Sequence, residues 1–262
     1  MKYNYNSSNQ LTLDPRIDVE LALGNVEGLS EGHKFGYAVN LPDTVVIGNT
    51  ATWEDVWSYG GQRTAPTASF TPFQASDDNA DTHDITWTYL DAAGLEQTVT
   101  VALTGTTPVT LGVTALDVYR GFVDDTTAPA GDVHCTTVSN HTAGVPDDAA
   151  EVLALILPID GQTQQLCGKV PSTVRRVVNH ITINLLRDSG AATSSIMVFQ
   201  TRANGGVWRT RKPINVTAGS AYSEHVQGII LEPLMDYRVR VRDISDSNTS
   251  ISATMSFTDK VT

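Results

Sequence analysis

The feature that most limits what this chain can become is a rhythm of short alternating runs, each cut by Gly, Pro, Asn or Asp, with almost no helical periodicity. In HDITWTYLD, Ile85, Trp87 and Tyr89 fall on one side, while Thr86 and Thr88 fall on the other. A turn over residues 91–94 follows, and LEQTVTVALTG then sets Val99, Val101 and Leu103 against Thr98, Thr100 and Ala102, which predicts an antiparallel hairpin. Further strands are predicted over residues 44–48, 68–73, 109–119 and 131–138. The second half repeats the style over residues 151–157, 162–169, 174–186, 194–201, 206–211, 223–231, 236–242 and 249–257. That spacing predicts a sandwich of jelly-roll-like form.

The expectation is therefore an all-β chain of two tandem antiparallel β-sandwich, jelly-roll-like domains behind an extended N-terminal arm. The arm is residues 1–40, the first domain 41–142 and the second 143–262. The boundary is placed in HTAGVPDDAA, which has the composition of a linker and lies where the charge balance changes. Residues 1–140 hold 5 Lys+Arg against 18 Asp+Glu, whereas residues 141–262 hold 12 against 11. Such asymmetry points to two modules with different surfaces. The arm has apolar spacing only in IDVELALG, residues 17–24, and is otherwise polar and Gly-rich. It is expected to fray in the monomer or to order against a partner chain.

A net charge of −12 repels a phosphate backbone, so nucleic acid is not an expected partner. The polar N-terminus lacks the apolar core of a secretory signal, and no apolar run approaches the roughly 20 residues that span a bilayer. A soluble protein, made in a cytoplasm and without membrane insertion, is expected. Cys135 and Cys167 fit no zinc or CxxC spacing and read as buried reduced thiols.

The six histidines are scattered singly, and no nucleophile elbow or phosphate-cradling glycine loop is present. No enzyme activity and no cofactor are expected. In SDDNADTHD, Asp77, Asn79 and Asp81 have the spacing that opens a calcium loop. Thr82 stands where that loop needs Gly and Thr88 where it needs a closing Glu, so the preferred reading is a solvated loop capping its own backbone, with an adventitious divalent cation as the alternative.

Three clusters are candidates for contact with a ligand or a neighbour. Tyr237, Val239 and Val241 alternate with Arg238, Arg240 and Arg242, which predicts one buried face and one solvated, basic face. That stripe could also meet the acidic half of a second copy. TWEDVWSYGGQ packs Trp53, Trp57 and Tyr59 beside two acids and ends on Gly60 and Gly61. Trp53 and Trp57 are expected to form one apolar ridge that locks the arm onto the first domain, with ligand stacking as the alternative. Trp87 and Trp208 are further stacking candidates, although Trp87 alternates inward and is expected in a core. Phe35, in HKFGYAVNL, completes the set of interface or ligand candidates.

The ordered series HKFGYAVNL, ATWEDVWSYGG, DNADTHDITWTYLDAAGLEQTVTVALTGTTPVTLG, VYRGFV and AGDV resembles a family of structural proteins encoded by tailed bacteriophages, often phages of marine bacteria. Lys34, Phe35 and Gly36; Glu54 to Trp57 with Gly60 and Gly61; Ala80 to Thr82; Tyr89 to Asp91 with Gly94; and Leu103 with Gly105 to Thr107 match that family's pattern. The resemblance covers about residues 17–138 and extends more loosely beyond. This chain departs by lacking the glycine-rich stretch that often follows the A-D-T loop. The resemblance implies a non-enzymatic virion component made in the host cytoplasm, either capsid decoration or tail or neck fibre. It implies other virion proteins as partners and a homotrimer, anchored through the arm and first domain with the second exposed. A module that binds host surface glycan is the rival reading.

Overall fold

The computed structural model describes residues 4–5, 11–12, 28–187, 194–217, 221–245 and 247–262. IDVELALG, residues 17–24, lies outside them. The chain is all-β, with antiparallel pairing between its strands and only two single-turn 3-10 helices among the described residues. The strands of three or more residues are β1 (Leu29–Leu41), β2 (Phe73–Ser76), β3 (Asp84–Asp91), β4 (Glu96–Ala102), β5 (Ala115–Val123), β6 (Val133–Thr136) and β7 (Val152–Ile156). They continue as β8 (Cys167–Lys169), β9 (Val174–Arg187), β10 (Ser194–Arg202), β11 (Arg209–Thr217), β12 (Ala221–Leu231), β13 (Asp236–Ile244) and β14 (Thr249–Val261).

Four larger sheets result. The first has the order β12-β9-β14-β1 and the second β8-β13-β10-β11. The third is β4-β3-β5, and the fourth is β7-β6-β2 with the short Val109–Thr110 strand at its edge. As a set they read as blades of a propeller-like arrangement and do not establish two tandem jelly rolls. Two separate hydrophobic cores lie among them. Ile181, Ile183, Phe199, Val239, Ile251 and Met255 belong to one, which draws on the first and second sheets. Ile85, Trp87, Val118, Val133, Leu153 and Ile156 belong to the other, which draws on the third and fourth. The predicted hairpin is β3-β4, in register from Asp84 opposite Ala102 to Leu90 opposite Glu96. Ile85, Trp87 and Tyr89 are buried on it, as their alternation requires.

Three expectations are corrected. The arm is not a separate appendage over its last residues: β1 is the edge strand of the first sheet, paired with β14 from Leu29 opposite Lys260 to Leu41 opposite Thr249. Its buried positions, Gly36, Ala38 and Leu41, include two small residues, which gave little hydrophobic signal in the sequence. A side chain at Gly36 would meet the Val56 carbonyl at 2.5 Å and the Leu166 nitrogen at 2.7 Å, so only glycine permits this approach. The division at 142/143 does not coincide with the sheets either. β7, from beyond it, pairs with β6, from before it, with Val133 opposite Ile156. HTAGVPDDAA is itself structured, with His141–Thr142 paired to Val145–Pro146 and the Asp148 side chain accepting from the Ala150 N–H. Residues 44–48, lastly, form turns rather than a strand, held where the Ile244 N–H donates to the Val45 carbonyl.

The halves are thus interlocked. The N-terminal region supplies an edge strand to the sheet of the C-terminal region, and the C-terminal region returns one, β7, to a sheet of the first.

Candidate functional site

The stretch TWEDVWSYGGQ is a staple. Gly60 and Gly61 adopt φ of 81° and 65°, the left-handed region that favours glycine, and so turn the chain back on itself. The Asp55 N–H then donates to the Gly61 carbonyl at 2.8 Å, and the Trp57 indole donates to the same carbonyl at 3.2 Å. The Gly61 N–H donates to the Glu54 carboxylate, whose pKa is nonetheless raised, chiefly by burial. The loop is fastened to β13: Glu54–Asp55 pairs with Arg240 and Val241, and the Val56 N–H donates to the Val239 carbonyl at 3.0 Å.

Trp53 and Trp57 therefore do not form a single ridge on the first domain. Trp57 is buried, with the Tyr59 ring 5.4 Å away, while Trp53 is half-buried, gives its indole N–H to the Val46 carbonyl and carries the Arg242 guanidinium over its ring at 4.5 Å. The short 3-10 turn at Thr50–Thr52 and the return at the glycines separate their surroundings.

The expected solvated face of β13 is also corrected, because Arg238 and Arg240 are buried. They lie under the staple in an ionic seam. Arg240 donates to both oxygens of Asp55, at 2.7 and 3.2 Å, and the Arg63 N–H donates to Asp55 at 2.8 Å. Arg238 stands 3.8 Å from Asp55, donates to Gln200 and stacks over the Trp208 ring at 3.7 Å. Burial lowers its pKa to about 10, which leaves it charged at neutral pH. The Arg63 side chain reaches into the other half, donating to Asp117 at 2.5 Å, to the Val118 carbonyl at 2.9 Å and to the Leu153 carbonyl at 2.7 Å. Although burial opposes its charge, Asp117 holds its pKa above the ordinary value. Lys169 and Arg202 share Asp236, each at 2.6–2.7 Å, and Arg176 grips Asp259 with two bonds. The acidic region and the arginine stripe do meet, but within one chain.

Beside the seam lies a cleft of about 460 Å³ lined by residues 31–35 of β1, Tyr119 and Arg120 of β5, and Gln162, Thr163 and Gln165. Phe35 stands at its rim, 47% exposed. The Lys34 nitrogen is itself buried, 4.2 Å above the Tyr119 ring and 5.6 Å from that of Tyr237, and donates to no acceptor among the described residues. Burial, seconded by the Arg176 charge, lowers its pKa to about 7. Both polar atoms of the Gln165 side chain are likewise unpartnered, although the residue is only 4% exposed. Sequence reasoning missed Gln165 and gave Lys34, Asp55 and Arg63 no role. A signal was available, since Lys34 and Arg63 are two of only five cations in the first 140 residues.

Asp77 and Asp81 are taken up by donors of the fold itself. Asp77 accepts from the Asp132 N–H, and Asp81 accepts from Ala130 and Gly131 N–H groups and from Ser76. Asp81 is buried rather than solvated, and those bonds lower its pKa against the effect of burial. Cys135 and Cys167 are free and buried, and burial raises both thiols, Cys167 to about 12. Among the described residues no group of three or more His, Cys, Asp and Glu could hold a metal ion.

No protein-family model and no curated protein matches the chain. Among solved structures, it is similar to one titled "Crystal structure of infectious bursal disease virus VP2 subviral particle", at 9% identity and a TM-score of 0.24, over 95% of this chain and 78% of that one. The infectious bursal disease virus Gt strain structure is 7% identical with a TM-score of 0.20, over 95% and 83%. The PBSX exported protein XepA is 8% identical with a TM-score of 0.20, over 98% of each chain. Likenesses at this level carry no argument about fold or function.

Proposed function

We propose that this chain is a non-enzymatic structural component of a tailed-phage virion, either capsid decoration or a tail or neck fibre subunit. The observation that carries the reading is the ordered motif series from Lys34 to Thr107, and the roles of those residues support it. Gly36 admits β1 against Val56 and Leu166, Gly60 and Gly61 close the staple, and Asp55 anchors the seam. The series encodes a way of interlocking two halves rather than a reactive constellation. A part that must outlast its host cell gains from halves that cannot separate without losing sheet edges. Each core, with its two sheets, is read as a β-sandwich. Because β1 is committed within the chain, mounting on the particle falls to the residues before it and to the surface of the acidic region. The proposed assembly is a homotrimer bound to other virion proteins.

Electron microscopy of particles carrying a labelled subunit tests the proposal. Label at repeated positions on capsid, neck or tail is expected, and purified subunit should bind empty capsids or tails. Particles without label, together with turnover of a saccharide or ester by the purified chain, would overturn it. The rival glycan-binding reading predicts specific, saturable signals on a glycan array and no capsid or tail binding.

A further inference from the structure

We infer that the cleft between β1 and β5 is a strand-addition slot. It takes an extended segment of a partner protein as a further antiparallel strand on β1, with a basic residue opposite Glu31 and an apolar one opposite Phe35. The inference does not depend on any position on a virion.

In an antiparallel ladder, the backbone groups of successive residues turn alternately toward the neighbouring strand and away from it. The Val261 N–H donates to the Gly28 carbonyl at 2.9 Å, and the register then runs without a shift from Leu29 opposite Lys260 to Ala38 opposite Ile251. Even-numbered positions of β1 therefore bond to β14, and odd-numbered ones turn outward. Tyr37 agrees with this phase, because its N–H donates away from the sheet to the Gln164 carbonyl at 3.5 Å. Beyond that contact the cleft runs along Glu31, His33 and Phe35, whose N–H and C=O groups meet no partner among the described residues. Three donor–acceptor pairs, roughly 7 Å apart along an extended chain, are a template for one more strand.

Other margins are guarded. β11 carries Pro213 and the exposed Arg209 and Arg211, and such residues discourage an edge from pairing. From Gly36 onward β1 is covered by the staple, through the Val56 carbonyl. Residues 31–35 contain no proline and no bulge. β4 is also a margin, but it contributes no residue to the cleft. At β1 an open edge and a facing wall, Arg120 with Gln162 and Thr163, occur together, so backbone pairing can be combined with selection of side chains.

The chemistry of the slot describes its occupant. Glu31, His33 and Phe35 share one face of β1, so an added strand sets every second side chain against them. Phe35 is 47% exposed, and an apolar residue opposite it takes both out of water. Glu31 is exposed and enters no ion pair among the described residues, so a Lys or Arg opposite it completes a cross-strand pair. Arg120, exposed on the facing wall, opposes a second cation. The surrounding field favours a basic segment, because residues 1–140 hold 5 Lys+Arg against 18 Asp+Glu. Antiparallel entry continues the pattern of the sheet.

The test is a chemical-shift titration of the labelled full chain with the acetylated, amidated peptide Ser-Thr-Val-Thr-Thr-Thr-Lys-Thr-Ser. Its Val, central Thr and Lys are spaced to face Phe35, His33 and Glu31. The amides of those three residues should shift saturably and become protected from hydrogen exchange. N-methylation of the central Thr should weaken binding about tenfold, since that N–H faces the β1 edge, whereas N-methylation of the next Thr should not. Glu31→Lys should weaken binding about fivefold, and a peptide with Glu in place of Lys should restore it. Absence of a saturable shift overturns the assignment, as does equal loss from the two N-methylations. Unchanged affinity in Glu31→Lys removes the selected chemistry and overturns it too. If sedimentation shows self-association that the peptide reverses, a second copy is the occupant and the inference fails. It also fails if these amides are already protected in the free monomer, because the chain then fills its own slot.

Discussion

Asp55 and Lys34 enter the interior from neighbouring stretches of the N-terminal region, and both carry charge out of water, yet their surroundings are opposite. Asp55 has Arg240 on both oxygens and the Arg63 N–H as well, so its lone pairs are largely met. Lys34 has two aromatic rings and no acceptor among the described residues. A buried charge is tolerable when its partners are fixed in place, and the interlocked sheets fix those of Asp55. The difference teaches that burial of charge is not one phenomenon here. At Asp55 it closes the fold, and at Lys34 it leaves the pairing open.

Breaking the closed example should have the largest effect. Asp55→Ala strands Arg240 and leaves Arg238 without its nearest carboxylate, and the expected loss is about 3–5 kcal/mol in urea unfolding. Adding Arg240→Met should recover part of it, since a hydrophobic replacement of both partners avoids the uncompensated charge. A loss below about 1 kcal/mol for Asp55→Ala would place the seam among ordinary surface pairs and dissolve the contrast.

Removing the open example should act in the other direction. The pKa of Lys34 is lowered to about 7 in the fold, from 10.5, so between those values the unfolded chain holds a proton that the native chain does not. Native stability therefore rises with pH across that window, and the full penalty is present below it. Lys34→Met should stabilise by about 2 kcal/mol at pH 6, less than the shift alone implies because the lysine stem reaches solvent. The gain should fade towards pH 10. A gain that does not change with pH would mean that packing, not charge, had been altered.

His134 sharpens the comparison from the acid side. It is buried next to the Tyr59 ring, and burial lowers its pKa to about 4, with Asp77 opposing and His141 assisting. The unfolded chain takes up a proton near pH 6.5 that the native chain refuses until about 4, so stability is complete above 6.5 and lost on the way down. His134→Gln should flatten this part of the stability profile by about 2 kcal/mol.

How much of this the sequence carried depends on what each residue needs. Ile85, Trp87 and Tyr89 could be read because alternation is local, and β3 buries them as expected. The same alternation misled at Arg238 and Arg240, because a strand covered on its second face by charged partners has the pattern of one covered by water. What covers it comes from Asp55, 185 positions from Arg240, and no window on the chain contains both. The edge strand β1 was obscured for a different reason: its inward positions hold Gly36 and Ala38, chosen for close approach rather than for apolar area. VLALI, a fully buried run, was assigned to the wrong half because composition records what a strand is made of and not which neighbour it pairs with. The unmet Lys34 nitrogen escaped notice because the lack of a partner is a property of the folded surroundings and leaves no mark on the local sequence.

The smallest effect is expected where the same chemistry sits in water. Arg175 donates to Glu232 at 2.9 Å, close to the spacing found in the seam, but both side chains are about half exposed. Solvent screens the attraction, and ordering two long side chains costs about what it returns. Glu232→Gln should therefore change unfolding free energy by less than about 0.5 kcal/mol. Set beside Asp55→Ala, this separates geometry from environment: the distances are alike, and what differs is whether water can replace the lost partner. A cost at Glu232 comparable to that at Asp55 would show that contact distance alone governs these pairs and would remove the basis for treating Lys34 as exceptional.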